Sequence, residues 1–519
     1  MSDLHWMHNF EVTDEELDFI MNTMLEQETP MTTRELTTMI IERRLDAERA
    51  DLEAKFQDTA IYNPAKSYDV GDRLVFTQLG LATATVTDIR AGDNDEYGAF
   101  DVITVTFDDD TDDQAHQYAA SLTTPHKLAD ANGDHPISET SGMSVRDVLE
   151  ATDGEVLYIM RDTLRDYDAL RRVAGYWFPA ELVLEFDIGT LHLSEAVLDM
   201  NGGGPMTTET IIEQIGGLGE SPLQLQVFSL NMALNDDDRF SEVGPAGEVM
   251  WYLDRMMPDP VRGIPERLRY EPIEYDEEAL SDEMFDLETE LDDEYTPIEF
   301  EGRLKKATST LLYPHRREGT LPLNAKTRSI FPRARTPRIY VELVDGIDGD
   351  TYDGWVVHEH KYVYGLQDYY EKHEIPVGAY VSIARGDHPG QIVVSHEAYK
   401  PRTEYVTILS VKDNQLQFEA KKRAIGAEYD EFILLGVDEV EAIDKAAKAY
   451  ARRSLNSILR EILGSMSKLT PQGTVHAITL YSVINVVRRC APGPIFATLT
   501  KSHEFEEMGS QYWTLAETD

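Results

Sequence analysis

Ten Lys or Arg against one acid, Glu318, stand between Arg303 and Arg338. Lys305, Lys306, Arg316, Arg317, Lys326, Arg328, Arg333, Arg335 and Arg338 are nine of them. Cations gathered on one loop-rich segment are what phosphate oxygens need, so this stretch is predicted to touch nucleic acid. Two more candidates, Arg488 and Arg489, close the apolar run "YSVINVVRR", with Lys468 and Lys501 nearby. They suit a phosphate contact, or equally a helix C-terminus whose dipole favours cations.

The segment just upstream has the opposite sign. Residues 271–301 hold fifteen Asp or Glu and no Lys or Arg. Like charges at this density repel, so a stable packed helix is not expected. Tyr275, Met284, Phe285, Leu287, Leu291 and Tyr295 are too apolar for a mere spacer. The run is expected to be a linker that can dock on a basic partner such as RNA polymerase. It could equally neutralise the basic stretch beside it, as an acidic clamp that competes with DNA, or leave that stretch to protein or RNA.

Other chemistries find little support. There is no Walker A motif, no G-x-S-x-G, no H-E-x-x-H and no cysteine pair, so the chain is expected to be no enzyme and to need no cofactor. "NGGGPM" at Asn201 lacks the strand and helix of a dinucleotide loop and is a turn. His358 and His360 in "VVHEHKY" are expected on one face of a strand, without a third ligand close in sequence. Asp108 to Asp110 with Asp112 and Asp113 lack the glycine and closing glutamate of a calcium loop.

Net charge is −49 over 519 residues. That opposes unspecific nucleic-acid binding over the whole surface. It fits a salt-tolerant acidic surface, or a protein that meets a basic partner. No apolar run of 18 residues exists, so no membrane contact is expected. The start "MSDLHWMHNFEV" is not of signal-peptide type, and Cys490 is the single cysteine. Both favour a cytoplasmic protein.

The elements that must position these cations alternate in type, which predicts an α+β multidomain fold of helical units and small β-barrels. Residues 1–58 form a helical unit, with a capping box at Thr13 and Glu16 and a second start at Thr32 or Thr33. Residues 62–130 switch to short strands, "YDVGDRLVF" and "TATVTDIRAGDNDEYGAFDVITVTF". Residues 144–260 return to helices, "VLYIMRDTLRDYDALRRVAGY" among them. The acidic run follows, then an all-β unit at 302–436 and a helical unit at 437–519.

Two stretches end alike. "RFSEVGPAGEVMWYL" closes at Leu253, and "EFEEMGSQYWTL" at Leu515. Each follows a helix, a Pro-containing turn and further helices. "TPMTTRELTTMII" near the start shares the Pro-Met-Thr-Thr of the first, but no closing strand is evident there. Phe240, Val243, Gly244, Trp251 and Leu253, and again Phe505, Met508, Gly509, Trp513 and Leu515, resemble the ending of HARE-HTH winged helices. The resemblance covers about a quarter of the chain, and its residues are core residues, so it speaks to fold. It implies nucleic-acid contact in transcription or chromatin machinery. A winged helix meets DNA with its last helix and wing. "LQVFSLNMALNDDDRF" has no cation before Arg239, so the C-terminal copy is the better candidate.

Two β segments also resemble known folds. "VGDRLVF…ATVTDIR" is similar to SH3-like barrels. Leu321-Pro322, Val341 to Asp345, Trp355, Gly365-Leu366 and Val377-Gly378 resemble B3-type DNA-binding pseudobarrels over about 90 residues, although Ala379 stands where an acid is expected. The resemblances and the charge together lead to double-stranded DNA as the expected partner and to transcription regulation or chromosome organisation as the setting. Two other outcomes remain: an acidic interaction scaffold on the transcription machinery, and a nuclease-associated specificity subunit.

Overall fold

The computed structural model describes residues 5–56, 59–94, 97–108, 115–124, 143–298, 300, 302, 304–413 and 415–517. The acidic stretch 109–113 lies outside them. The fold is α+β, and the chain divides into two compact units. One comprises residues 1–185 and 220–229, the other residues 186–219 and 230–519.

In the first unit, helix Asp14–Gln27 starts at the expected capping box. Thr13 Oγ1 accepts the Glu16 N–H at 3.3 Å, and Glu16 Oε2 accepts the Thr13 N–H at 3.0 Å. These bonds satisfy two of the donors that a helix start leaves unpaired. Leu17, Ile20 and Met24, spaced by three and four, meet Leu36, Ile40 and Ile41 of helix Thr33–Lys55 in one core. Thr32 and Glu35 cap this second helix in the same reciprocal way.

The missing ending of the first copy is present, far along the sequence. "VLYIMRDTLRDYDALRRVAGY" is not one helix: the helix is Glu155–Arg165, and strands Leu170–Val173 and Tyr176–Pro179 follow. Ala174 and Gly175 between them have φ of 53° and 86°. Two consecutive positive φ values give the tight turn whose twist suits a hairpin. Strand Met31–Thr32 pairs with the second of these strands, Met31 opposite Trp177. Helical periodicity failed here because Val173, Trp177 and Phe178 are buried from a strand, while Leu164 and Leu170 belong to different elements. A five-stranded sheet of Ala60–Ile61, Arg73–Phe76, Ala82–Ala91, Asp101–Phe107 and His116–Ala120 lies between the two halves of the copy in sequence.

The arrangement recurs twice further along the chain, with residues 223–229 of helix Leu223–Asn235 belonging to the first unit and the other elements to the second. Helix Ile188–Met200, strand Met206–Thr207, helices Thr208–Ile215 and Leu223–Asn235, and the hairpin Phe240–Glu242 with Met250–Leu253 form one copy. Helix Leu455–Met466, strand Val475–His476, helices Ala477–Val487 and Pro492–Lys501, and the hairpin Phe505–Glu507 with Tyr512–Leu515 form the other. Trp251 stands opposite Met206, and Trp513 opposite Val475. All three tryptophans thus occupy one register position, and all are buried.

A seven-stranded sheet follows the acidic run. Its order is Lys306–Thr310, Tyr380–Arg385, Gln391–His396, Arg338–Asp345, Thr351–Val357, Tyr362–Tyr364, Thr320–Pro322. Arg338–Asp345 alternates inward and outward, burying Ile339, Val341 and Leu343 as a period of two requires. The expected strand around His358 is interrupted: His358–His360 is a 3-10 turn between two strands, so the two histidines share no strand face. A long hairpin, Ala398–Lys412 with Gln415–Ala427, leads to the C-terminal helices.

The acidic run is folded, contrary to the expectation of an open linker. Asp282–Leu291 is a helix capped by Ser281, with Met284 and Glu288 buried. Ile273, Leu280, Leu287 and Leu291 pack on the core that the C-terminal helices form. Repulsion among the acids is outweighed because Met284, Leu287 and Leu291 turn to the core, while most carboxylates, and Phe285 with them, point to water.

Candidate nucleic-acid interface

The predicted cations separate into free and engaged groups. Lys305, Lys306, Lys326, Arg328 and Arg333 are exposed and make no ion pair among the described residues. Lys306 begins an edge strand, opposite Ala384 of the neighbouring one. Arg385 ends that neighbour, and the sequence reading did not single it out. Its Nε donates to the Ile330 carbonyl at 3.1 Å and its Nη2 to that of Ser329 at 2.7 Å. Those bonds hold the 3-10 turn Thr327–Ser329, and Arg328 with it, against the edge strand. Arg328 and Arg333 both act on His358, whose Nε2 meets the Pro332 carbonyl at 3.3 Å. Burial first, and then these two cations, push the His358 pKa below its ordinary value. Lys306, Arg328, Arg333 and Arg385 therefore surround one end of the sheet. No periodic signal marks Arg385, because pairing brings residues 306 and 385 together across 79 positions.

The other predicted cations are occupied. Arg316 is largely buried and donates to the Ile375 carbonyl at 2.6 Å, with Tyr370 under its guanidinium. Burial lowers its pKa, though a guanidinium remains charged. Arg317 lies 3.9 Å from Asp444. Arg335 pairs with Glu242, and Arg338 with Glu359 at 3.0 Å. Glu242 belongs to the hairpin of the second copy, and the Ala246 N–H of that hairpin's loop donates to the Arg333 carbonyl at 3.0 Å. The loop "GPAG" is thus a docking element of the basic segment. Gly244 is required there, since a Cβ would stand 2.3 Å from the Glu248 carbonyl oxygen.

Arg488 is half-buried and Arg489 fully buried. Arg488 donates to the Arg453 carbonyl at 2.7 Å. The Arg489 side chain is 0% exposed and pairs with Asp293 and Glu294, each at 2.7 Å. A group sealed in this way reaches no phosphate. His315 joins the cluster through Glu294 at 3.2 Å and Thr320 at 2.9 Å, and Tyr481 Oη donates to Asp293 at 2.5 Å. Burial raises the pKa of Asp293. Burial also opposes charge on Glu294, but Arg489 and His315 outweigh it and hold that carboxyl below the usual range. Among the described residues the acidic run meets Arg489 and Lys501 as Arg or Lys partners, and the stretch next to it supplies His315 to Glu294 and the Ala325 and Lys326 N–H groups to Asp292. The neighbouring Cys490 thiol is buried and pushed up to about 12, so it is an inert core residue.

One cluster has ligand spacing for a metal among the described residues: Asp345, Asp348 and His373. Asp345 accepts from His373 Nε2 at 2.6 Å. Lys372 reaches Asp345 at 3.4 Å, Asp350 at 2.7 Å and also Asp348. Its ammonium already supplies the positive charge these carboxylates need.

Together the fold defines an α+β multidomain protein with three hairpin-closed helical repeats and a basic-ended β-sheet. None of its described helices is long and apolar enough to cross a membrane. No family model, curated protein or solved structure matches the chain.

Proposed function

We propose that this protein is a non-enzymatic, multidomain double-stranded DNA-binding protein of transcription regulation or chromosome organisation. On this reading the three repeats are winged-helix units of HARE-HTH type, and the seven-stranded unit is the B3-like DNA reader. The observation that carries it is the cluster of Lys306, Arg328, Arg333 and Arg385 at one end of that sheet. Four unpaired or backbone-held cations in a chain of charge −49 are a local exception. Counterion release from phosphates would make their contribution steeply salt-dependent.

The test is fluorescence anisotropy with a labelled duplex at several salt concentrations. Changing Lys306, Arg328 and Arg333 together to Glu is expected to flatten the slope of log K against log salt by about 3, near 0.9 per lost phosphate contact. Absence of duplex binding at low salt, or an unchanged slope, refutes the reading. A scaffold role on RNA polymerase or another basic protein has one observation in its favour. Helix Asp282–Leu291 presents Phe285, 59% exposed, among outward carboxylates.

A further inference from the structure

We propose that the acidic segment 271–291 is a strap over the last helix of the C-terminal repeat, withholding that helix from an anionic partner by taking the partner's place. The inference rests on the winged-helix reading for what the helix would otherwise meet; the contacts themselves are independent of it.

Helix Pro492–Lys501 is the element before the closing hairpin, and every residue from Pro492 to Ala497 is buried. The strap runs along it. At the helix start, Glu288 Oε1 lies against Gly493, and Tyr275 Oη donates to that oxygen at 3.3 Å. A carboxylate there stands where a phosphate would meet the open N–H groups of a helix start, although burial pushes its pKa above the ordinary value. Glycine is what permits the approach: a Cβ on Gly493 would lie 2.3 Å from Tyr275 Oη and 2.6 Å from Glu288 Oε1. At the helix end, Lys501 pairs with Asp276 at 2.7 Å. Both ends of the helix are thus satisfied by acids of the same chain. Outside, Glu277, Glu278, Asp282, Glu283 and Asp286 face water and would repel phosphate.

The strap is tied firmly outside itself and lightly within. Upstream, Arg267 donates to the Val486 carbonyl at 3.1 Å and pairs with Asp444. Downstream, Asp293 and Glu294 hold the buried Arg489. Within residues 271–291 only Met284 and Glu288 are fully buried, and Ile273, Leu280, Leu287 and Leu291 are half-buried. Segments with few buried contacts open locally well below the energy of global unfolding. Opening would free the already half-exposed Lys501 from its ion pair and bare the helix start while the anchors hold.

The experiment uses the full chain. Gly493→Ala with Asp276→Asn removes the approach and the ion pair, without adding a cation, while favouring helix at residue 493. Hydrogen exchange at 493–501 should quicken in this variant with the rest of the second unit unchanged. Affinity for a random-sequence duplex should rise severalfold, with a salt slope steeper by about 0.9 for the freed Lys501. In a separate variant, Asp276→Cys with Lys501→Cys bridged by a bismaleimide should keep exchange and binding at the wild-type level. Unchanged exchange, exchange through global unfolding alone, or faster exchange without tighter binding each overturns the strap. Repeating the assay with Lys306, Arg328 and Arg333 changed to Glu separates the two proposals. A gain on opening that survives there supports the strap even if the basic patch proves silent, and loss of the gain overturns it.

Discussion

The three tryptophans at one register position allow a stability prediction to be worked from repeat to repeat. Trp177 Nε1 donates to Thr33 Oγ1 at 2.9 Å. Trp251 Nε1 donates to Thr208 Oγ1 at 3.0 Å and to Asn231 Oδ1 at 2.8 Å. Both threonines follow the short strand directly. At the same place in the third repeat stands Ala477, and the buried Trp513 Nε1 has no partner among the described residues. An unsatisfied buried donor costs about 1–3 kcal/mol, and a hydrogen bond regained returns about 1 kcal/mol net. Ala477→Thr is therefore expected to stabilise the protein by about 1 kcal/mol, since the matching Thr208 is itself fully buried in such a setting. Thr33→Ala should cost about 1–3 kcal/mol, because Trp177 has one acceptor. Thr208→Ala should cost less at the indole, because Asn231 remains. Urea unfolding followed by tryptophan fluorescence measures all three, with the slope m as a check on the two-state assumption. A destabilised Ala477→Thr alongside a neutral Thr33→Ala would refute the equivalence of the repeats.

Further outcomes concern the buried and titrating groups. Arg489→Met should lower stability by about 3–5 kcal/mol, since Asp293 and Glu294 would stay buried without their cation. Adding Asp293→Asn and Glu294→Gln should recover most of that loss in the same urea assay, and no recovery would count against the ion cluster as its cause. Burial lowers the pKa of His358, His396 and His476 from 6.5, with His373 adding to the effect at His396. The unfolded chain therefore binds more protons than the folded one below that value, and stability falls as pH drops through it. Urea midpoints at pH 7.5, 6.5 and 5.5 should fall in that order, and a flat series would contradict it. Lys372→Ala leaves Asp345, Asp348 and Asp350 without their ammonium. Added Mn²⁺ should then raise the melting temperature of the variant and leave the wild type unmoved; equal shifts in both would show that Lys372 does not fill the site.

Much was legible in local sequence, for a physical reason. Capping boxes, short turns and binary patterns act within a few residues. Thr13 with Glu16 started its helix, the alternation of Arg338–Asp345 gave a strand, and the Trp-x-Leu endings marked two hairpins. The gathering of cations at 303–338 was equally plain. Tertiary structure decided what those charges are available to do. It paired Arg489 with acids 196 and 195 positions away, tied Arg335 to Glu242, and placed Arg385 beside Arg328. It also completed the first repeat across an inserted sheet, 146 positions from Met31 to Trp177. Finally it folded the acidic run, because apolar residues spaced along it met a core that repulsion alone could not foretell. Charge and period belong to the sequence; whether a charge faces water or a partner is settled by burial, which depends on residues far away in the chain.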